Sequence, residues 1–152
     1  MRQPTVVAAL VSLLACSPED LAGVQQAHSG VTELSHVIEV HFVEGGVRLE
    51  VTRALRNDSN FVRSFSQHVT VPDGAIATSL RLGRGADVLP APLSTQEQVD
   101  ATWDLLTSPG DAEPVPVGKL EWAYDGELSL ALFGLPPHET VTVGYDLMLA
   151  PT

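Results

Sequence analysis

Residues Ile38–Thr52 read IEVHFVEGGVRLEVT. Ile38, Val40 and Phe42 alternate with Glu39 and His41, Glu44-Gly45-Gly46 interrupts, and Val47, Leu49 and Val51 then alternate with Arg48, Glu50 and Thr52. Successive side chains of a strand point to opposite faces, so a period of two sets one face against a core and the other against water. Two such runs joined across a glycine pair predict an antiparallel β-hairpin.

The same period recurs along the chain. After the polar turn Asn57-Asp-Ser-Asn60, a strand is expected from about Phe61 to Val71, with Phe65, Val69 and Val71 on one face, stopped by Pro72-Asp73-Gly74. Ile76, Thr78, Leu80 and Leu82 alternate next, up to Gly83-Arg-Gly85. Further on come Leu120, Trp122 and Tyr124, then Leu128, Leu130 and Leu132, then Val141, Val143, Tyr145, Leu147 and Leu149. Seven to eight short strands separated by turns predict a mainly β chain folded as an antiparallel β-sandwich. One helix is expected inside it, roughly Ser94–Thr107. Ser94-Thr-Gln-Glu97 has capping-box spacing, Val99, Trp103 and Leu106 line one helical face, and Pro109-Gly110 ends it. Trp103 on that stripe reads as core, with sugar stacking as the alternative.

The chain has 152 residues, which suits one domain, and 44% hydrophobic with 18% charged residues is a globular composition. Nineteen acidic against eight basic residues give a formal charge of -11. That balance repels polyphosphate and supplies no basic stripe, which argues against nucleic-acid partners. The acids are scattered, as on a solvated surface, rather than gathered in a block.

The N-terminus reads as an address. Val6–Ala15 is an apolar run of the length of a secretory h-region, too short for a stable membrane span, and it ends in Leu13-Leu14-Ala15-Cys16. That ending resembles the lipobox of bacterial lipoproteins, in which cleavage before the cysteine leaves it as a lipid-modified N-terminus. Cys16 is the chain's one cysteine, so it cannot form an intrachain disulfide, and lipidation gives it a role. The expected organisation is a signal peptide over 1–15, a flexible tether over 16–32 and a folded domain over 33–152. The expected location is a bacterial cell envelope, held by a lipid anchor, at the outer membrane where the cell has one.

A second resemblance covers about Leu34 to Leu149. Its elements are a strand leading to Arg56-Asn57-Asp58, a strand ending in Val71-Pro72-Asp73-Gly74, a helix, Gly118-Lys-Leu-Glu-Trp122, and the turn Phe133-Gly-Leu-Pro-Pro-His-Glu139 before a last strand. This order resembles the VIT (vault protein inter-alpha-trypsin) domain. Gly134 stands where that family usually has Asn, His138 where it has Gly, and Lys119 where an apolar residue is common. An immunoglobulin-like or fibronectin-like sandwich is the alternative, against which the capped helix argues. The resemblance implies a protein-interaction role, with a von Willebrand type A domain as one expected partner, because family members often continue into one. No Asp-x-Ser-x-Ser metal motif occurs here, so that domain's metal site does not transfer. The chain stops at Thr152, which suggests either a free-standing lipoprotein or the front of a split or longer protein.

Chemistry is sparse. His28, His36, His41, His68 and His138 are spread out, without the pairing on one face that a zinc site needs. His36 and His41, five apart, are expected on opposite faces of a strand. No Gly-x-Ser-x-Gly elbow is present, and Gly83-Arg-Gly85 is too short for a phosphate loop. Asp100 and Asp104, one helical turn apart, read as a solvated face. No catalytic residue, metal or cofactor is therefore expected. The sequence reads as a non-enzymatic, membrane-tethered interaction lipoprotein. The alternative is a carbohydrate- or envelope-polymer-binding sandwich that stacks sugars on exposed Trp122 or Tyr124.

Overall fold

The computed structural model describes residues 30–84, 87–91, 94–108, 115–124 and 126–150, together with the backbone of Ala9–Leu10. Cys16 and nearly all of the expected signal and tether segments lie outside the described residues.

The fold is mainly β. Its elements are β1 (Ala9–Leu10), β2 (Val31–Val43), β3 (Gly46–Asn57), β4 (Arg63–Thr70), β5 (Ala75–Arg84), β6 (Asp87–Ala91), α1 (Gln96–Thr107), β7 (Val117–Tyr124), β8 (Glu127–Leu135) and β9 (Thr140–Leu149). Apart from the two-residue β1, the described residues hold eight strands and one helix, within the expected seven to eight strands, and β6 is the strand that no periodic run marked. All pairings are antiparallel, in one sheet of order β1-β2-β3-β9-β5-β6 and a second of order β4-β8-β7. The hairpin read from Ile38–Thr52 is β2–β3, with Ile38 opposite Val51, Val40 opposite Leu49 and Phe42 opposite Val47. β2 starts at Val31, two residues before the expected domain boundary, and Val31 pairs with Asn57.

The core lies between the sheets. Val51 and Leu55 of β3, Val141, Val143, Tyr145 and Leu147 of β9, and Leu80 of β5 meet Phe65 of β4 and Leu128, Leu130 and Leu132 of β8. Removing each leucine of β8 from water contributes about 2 kcal/mol. Burial raises the pKa of the Tyr145 hydroxyl. Arg53 also points inward and is 3% exposed. Its guanidinium pairs with Glu33, from Nε at 2.8 Å and from Nη2 as well, and stands over the Phe65 ring at 5.4 Å.

Four local expectations are corrected. The extra residue Thr78 in β5 shifts its register against β9 between Ala77 and Ser79. A bulge flips the faces on either side of it, so Leu80 is buried while Ile76 is 61% exposed and Ala75 takes the inward position. The third strand starts at Arg63, and Phe61 is 70% exposed in the preceding loop. The helix cap falls one residue later than read: Thr95 is the N-cap, Gln98 closes the box, and α1 spans Gln96–Thr107. α1 has no buried residue, so its Val99–Trp103–Leu106 stripe is not core. Trp103 is half-buried beneath Lys119, whose ammonium stands 5.3 Å from the ring centroid. Lys119 also pairs with Asp100 at 3.7 Å and Glu121 at 3.1 Å, so it binds the helix to β7.

Candidate functional site: an aromatic groove at one end of the sandwich

Two turns meet at one end of the sandwich. Pro72-Asp73-Gly74 joins β4 to β5, and β7 turns into β8 through Gly126. Val71 N–H donates to the Gly126 carbonyl at 2.9 Å, tying the two turns together, and Ala75 N–H donates to the Pro72 carbonyl at 3.0 Å, closing the first turn on itself. Gly74 and Gly126 have φ of 74° and 76°, a region costly for residues with a Cβ.

The last residues of β7 form the other wall. Its register shifts between Trp122 and Tyr124: Trp122 pairs with Leu128, but Tyr124 pairs with Glu127. Ala123 is thus an extra residue, and Trp122 and Tyr124 do not share the single face that simple alternation predicts. Trp122 sits at the rim of the core-facing side, while Tyr124 lies on the outer side with its ring 6.2 Å from that of His68. His68 Nδ1 lies 3.3 Å from a Glu127 carboxylate oxygen. Between the walls runs an open groove of about 610 Å³, lined by residues 71–75, 122–124 and Gly126. Trp122 is 48% exposed and Tyr124 71% exposed, so both side chains are open to solvent at the groove.

Cross-strand register places Phe42, Val47, Leu149 and Ala75 in one row at this same end. Phe42 is 74% exposed there. Val31, where β2 begins, is at the opposite end beside Asn57. Thirteen residues of β2 at about 3.3 Å each put Val31 about 40 Å from the groove end, toward which β1 pairs Ala9 with Val40 and Leu10 with Glu39. A narrower cavity of about 200 Å³ lies between α1 and the strands, lined in part by Val99, Leu120 and Trp122.

The Asn57–Asn60 turn is held from within by a buried side chain. Asn57 is fully buried, and its side-chain amide donates to the carbonyls of Phe61 at 2.7 Å and Leu135 at 2.9 Å. Its Oδ1 accepts from Ser59 N–H at 3.0 Å and Ser59 Oγ at 2.8 Å. His138 N–H donates to the Asn57 carbonyl at 2.8 Å, and the His138 ring meets Asn60 Oδ1 at 2.8 Å. The Asn57–Asn60 and Gly134–Glu139 turns therefore form one hydrogen-bonded unit.

Among the titratable groups, Asp100 and Asp104 are exposed on α1 as expected. His36 and His41 do fall on opposite faces, paired with Arg53 and Arg48 respectively. His41 nevertheless has carboxylate neighbours that chain order concealed: Glu39 two residues before it and Glu50 across the hairpin. Pairing from the Val43–Gly46 end of the turn would have placed Glu39 opposite Glu50. Burial alone would raise the Glu33 carboxyl, but hydrogen bonds from His36 and Arg53 and the Arg53 charge outweigh it and hold the pKa below its usual value. The groove gathers aromatic rings, backbone and the Asp73 carboxylate, with no nucleophile-and-base pair among its described lining residues. No family model, curated protein or solved structure matches the chain.

Proposed function

We propose that this chain is a non-catalytic lipoprotein of a bacterial cell envelope, anchored through acylated Cys16, whose VIT-like sandwich docks a partner protein through its aromatic end. The observation that carries this reading is the exposure of Phe42, Trp122 and Tyr124 at the end of the sandwich remote from Val31. A flexible tether between Cys16 and Val31 would leave that end free to meet a partner. Large amphipathic rings at a groove are the side chains that dominate protein interfaces. The VIT-like assignment draws support from the joined Asn57 and Pro136-Pro137 turns and from the helix between β6 and β7. Among the described residues no helix is long and apolar enough to cross a membrane. Several acyl chains on Cys16 would give durable attachment where one is marginal. A separately encoded von Willebrand type A domain is the partner class implied by the family resemblance.

A second reading, sugar-polymer binding, is favoured by the groove itself, because Trp122 and Tyr124 are open to solvent beside Asp73. Cross-linked capture from detergent-solubilised membranes, run beside cosedimentation with insoluble envelope glycan, separates the two. Trp122→Ala/Tyr124→Ala should abolish recovery of a discrete protein partner. Glycan cosedimentation that depends on these rings, without such a partner, would replace the first reading by the second. Loss of neither would dismiss the groove as a binding surface.

A further inference from the structure

The outer face of the β2–β3 hairpin carries Glu39, His41 and Glu50. We propose that these three side chains form a site for a divalent transition-metal ion of the Zn²⁺ class. Glu39 and His41 are two residues apart on one face of β2, and Glu50 lies directly opposite Glu39 on β3. One ligand atom from each side chain lies within 4.8 Å of the others. His41 Nε2 is 3.7 Å from Glu39 Oε2 and 3.5 Å from Glu50 Oε2. These separations are too long for hydrogen bonds. They approach the roughly 3.4 Å between donors arranged tetrahedrally around an ion at about 2.0–2.1 Å.

Burial supplies independent support. The His41 side chain is only 16% exposed, and its Nε2 is buried without a hydrogen-bond partner. A buried ring nitrogen aimed at two carboxylates is unsatisfied as it stands, and a metal ion would satisfy all three groups. The strand pairing also sets Glu39, Glu50 and Asp146 in one row across β2, β3 and β9. Like charges directly opposite each other destabilise a sheet. Arg81 answers Asp146 at 2.9 Å and the far oxygen of Glu50 at 3.5 Å, and Arg48 stands 3.9 Å from Glu50 Oε2. Among the described residues, Glu39 has no ion-pair partner except His41. One imidazole with two carboxylates suits Zn²⁺ or a neighbouring transition ion over Mg²⁺, and water would complete the shell. The two arginines compete for Glu50, which favours modest affinity and a role in fastening β2 to β3.

The test is calorimetric titration of Zn²⁺, with Mg²⁺ alongside, into the metal-stripped full-length protein in detergent. Circular dichroism and thermal unfolding without metal would establish that each variant is folded. The expected result is one Zn²⁺ per chain, a Zn²⁺-dependent rise in Tm, and at least tenfold weaker binding in both His41→Gln and Glu39→Gln. His36→Gln and His68→Gln should bind as the parent does. Absence of saturable Zn²⁺ binding, or binding that survives both site substitutions, would overturn the proposal and leave the cluster as a charge ladder.

Discussion

The side-chain amide of Asn57 donates to the carbonyl of Leu135 at 2.9 Å, joining residues 78 positions apart. Asn57 ends β3 and Leu135 ends β8, so this bond ties one sheet to the other where the two proline- and asparagine-bearing turns meet. Replacing Asn57 by Ala leaves both acceptor carbonyls and the Ser59 donors without it. The expected loss is about 3 kcal/mol, and Asn57→Asp should lose at least as much because it buries a carboxylate. Urea unfolding measures both.

Gly134 and Gly74 have nearly the same backbone, φ of 76° and 74°, but different surroundings. A Cβ on Gly134 would stand 2.4 Å from the Val115 carbonyl oxygen, whereas one on Gly74 would have nothing within 4 Å. Gly74→Ala should therefore cost about 1 kcal/mol, the left-handed penalty alone. Gly134→Ala should cost clearly more, since backbone must also move. Equal losses in a denaturant series would refute the steric account.

Glu33 makes stability depend on pH. Its carboxyl pKa is lowered from 4.5 in the folded state because the His36 and Arg53 hydrogen bonds outweigh desolvation. A depressed carboxylate contributes stability that is present above the unfolded pKa and lost as pH falls through the folded value. Glu33→Gln should be less stable than the parent at pH 7, by about 1–3 kcal/mol with Arg53 losing its buried partner. The gap should close as pH falls below 4.5. Parallel stability profiles for the two proteins would contradict this.

Thr95 rather than Ser94 should control α1. Thr95 Oγ1 accepts from Gln98 N–H, and the Gln98 side chain accepts from Thr95 N–H, each at 3.4 Å. Thr95→Ala is expected to cost about 1 kcal/mol of local helix stability, visible as faster amide exchange in 96–99, while Ser94→Ala leaves it unchanged. Global stability should move little, because α1 buries no residue.

These cases show why some features were legible and others were not. Alternation located the hairpin and the inward faces of β8 and β9, because paired strands with one buried face keep a strict period of two. It failed at Thr78 and Ala123, where an added residue reverses the face without changing the local composition. Both Ser94 and Thr95 can cap a helix, and each has a box partner three residues on, so spacing alone could not choose between them. Trp103 read as core because a helical stripe does not reveal whether a sheet covers it, and here a lysine does. Exposure of Trp122 and Tyr124 depended on where β7 ends relative to the opposite sheet. The Glu39–His41–Glu50 cluster could have been found from the hairpin register, since it requires only counting outward from Gly45-Gly46.

The most direct measurement of the binding account is photo-cross-linking in intact cells, with a photoreactive amino acid at Tyr124 and, separately, at exposed Ser64 on β4. A discrete envelope-protein adduct at position 124, absent at 64 and lost when Trp122 is also replaced by Ala, is the predicted result. No adduct at 124, or the same adducts at both positions, would contradict it.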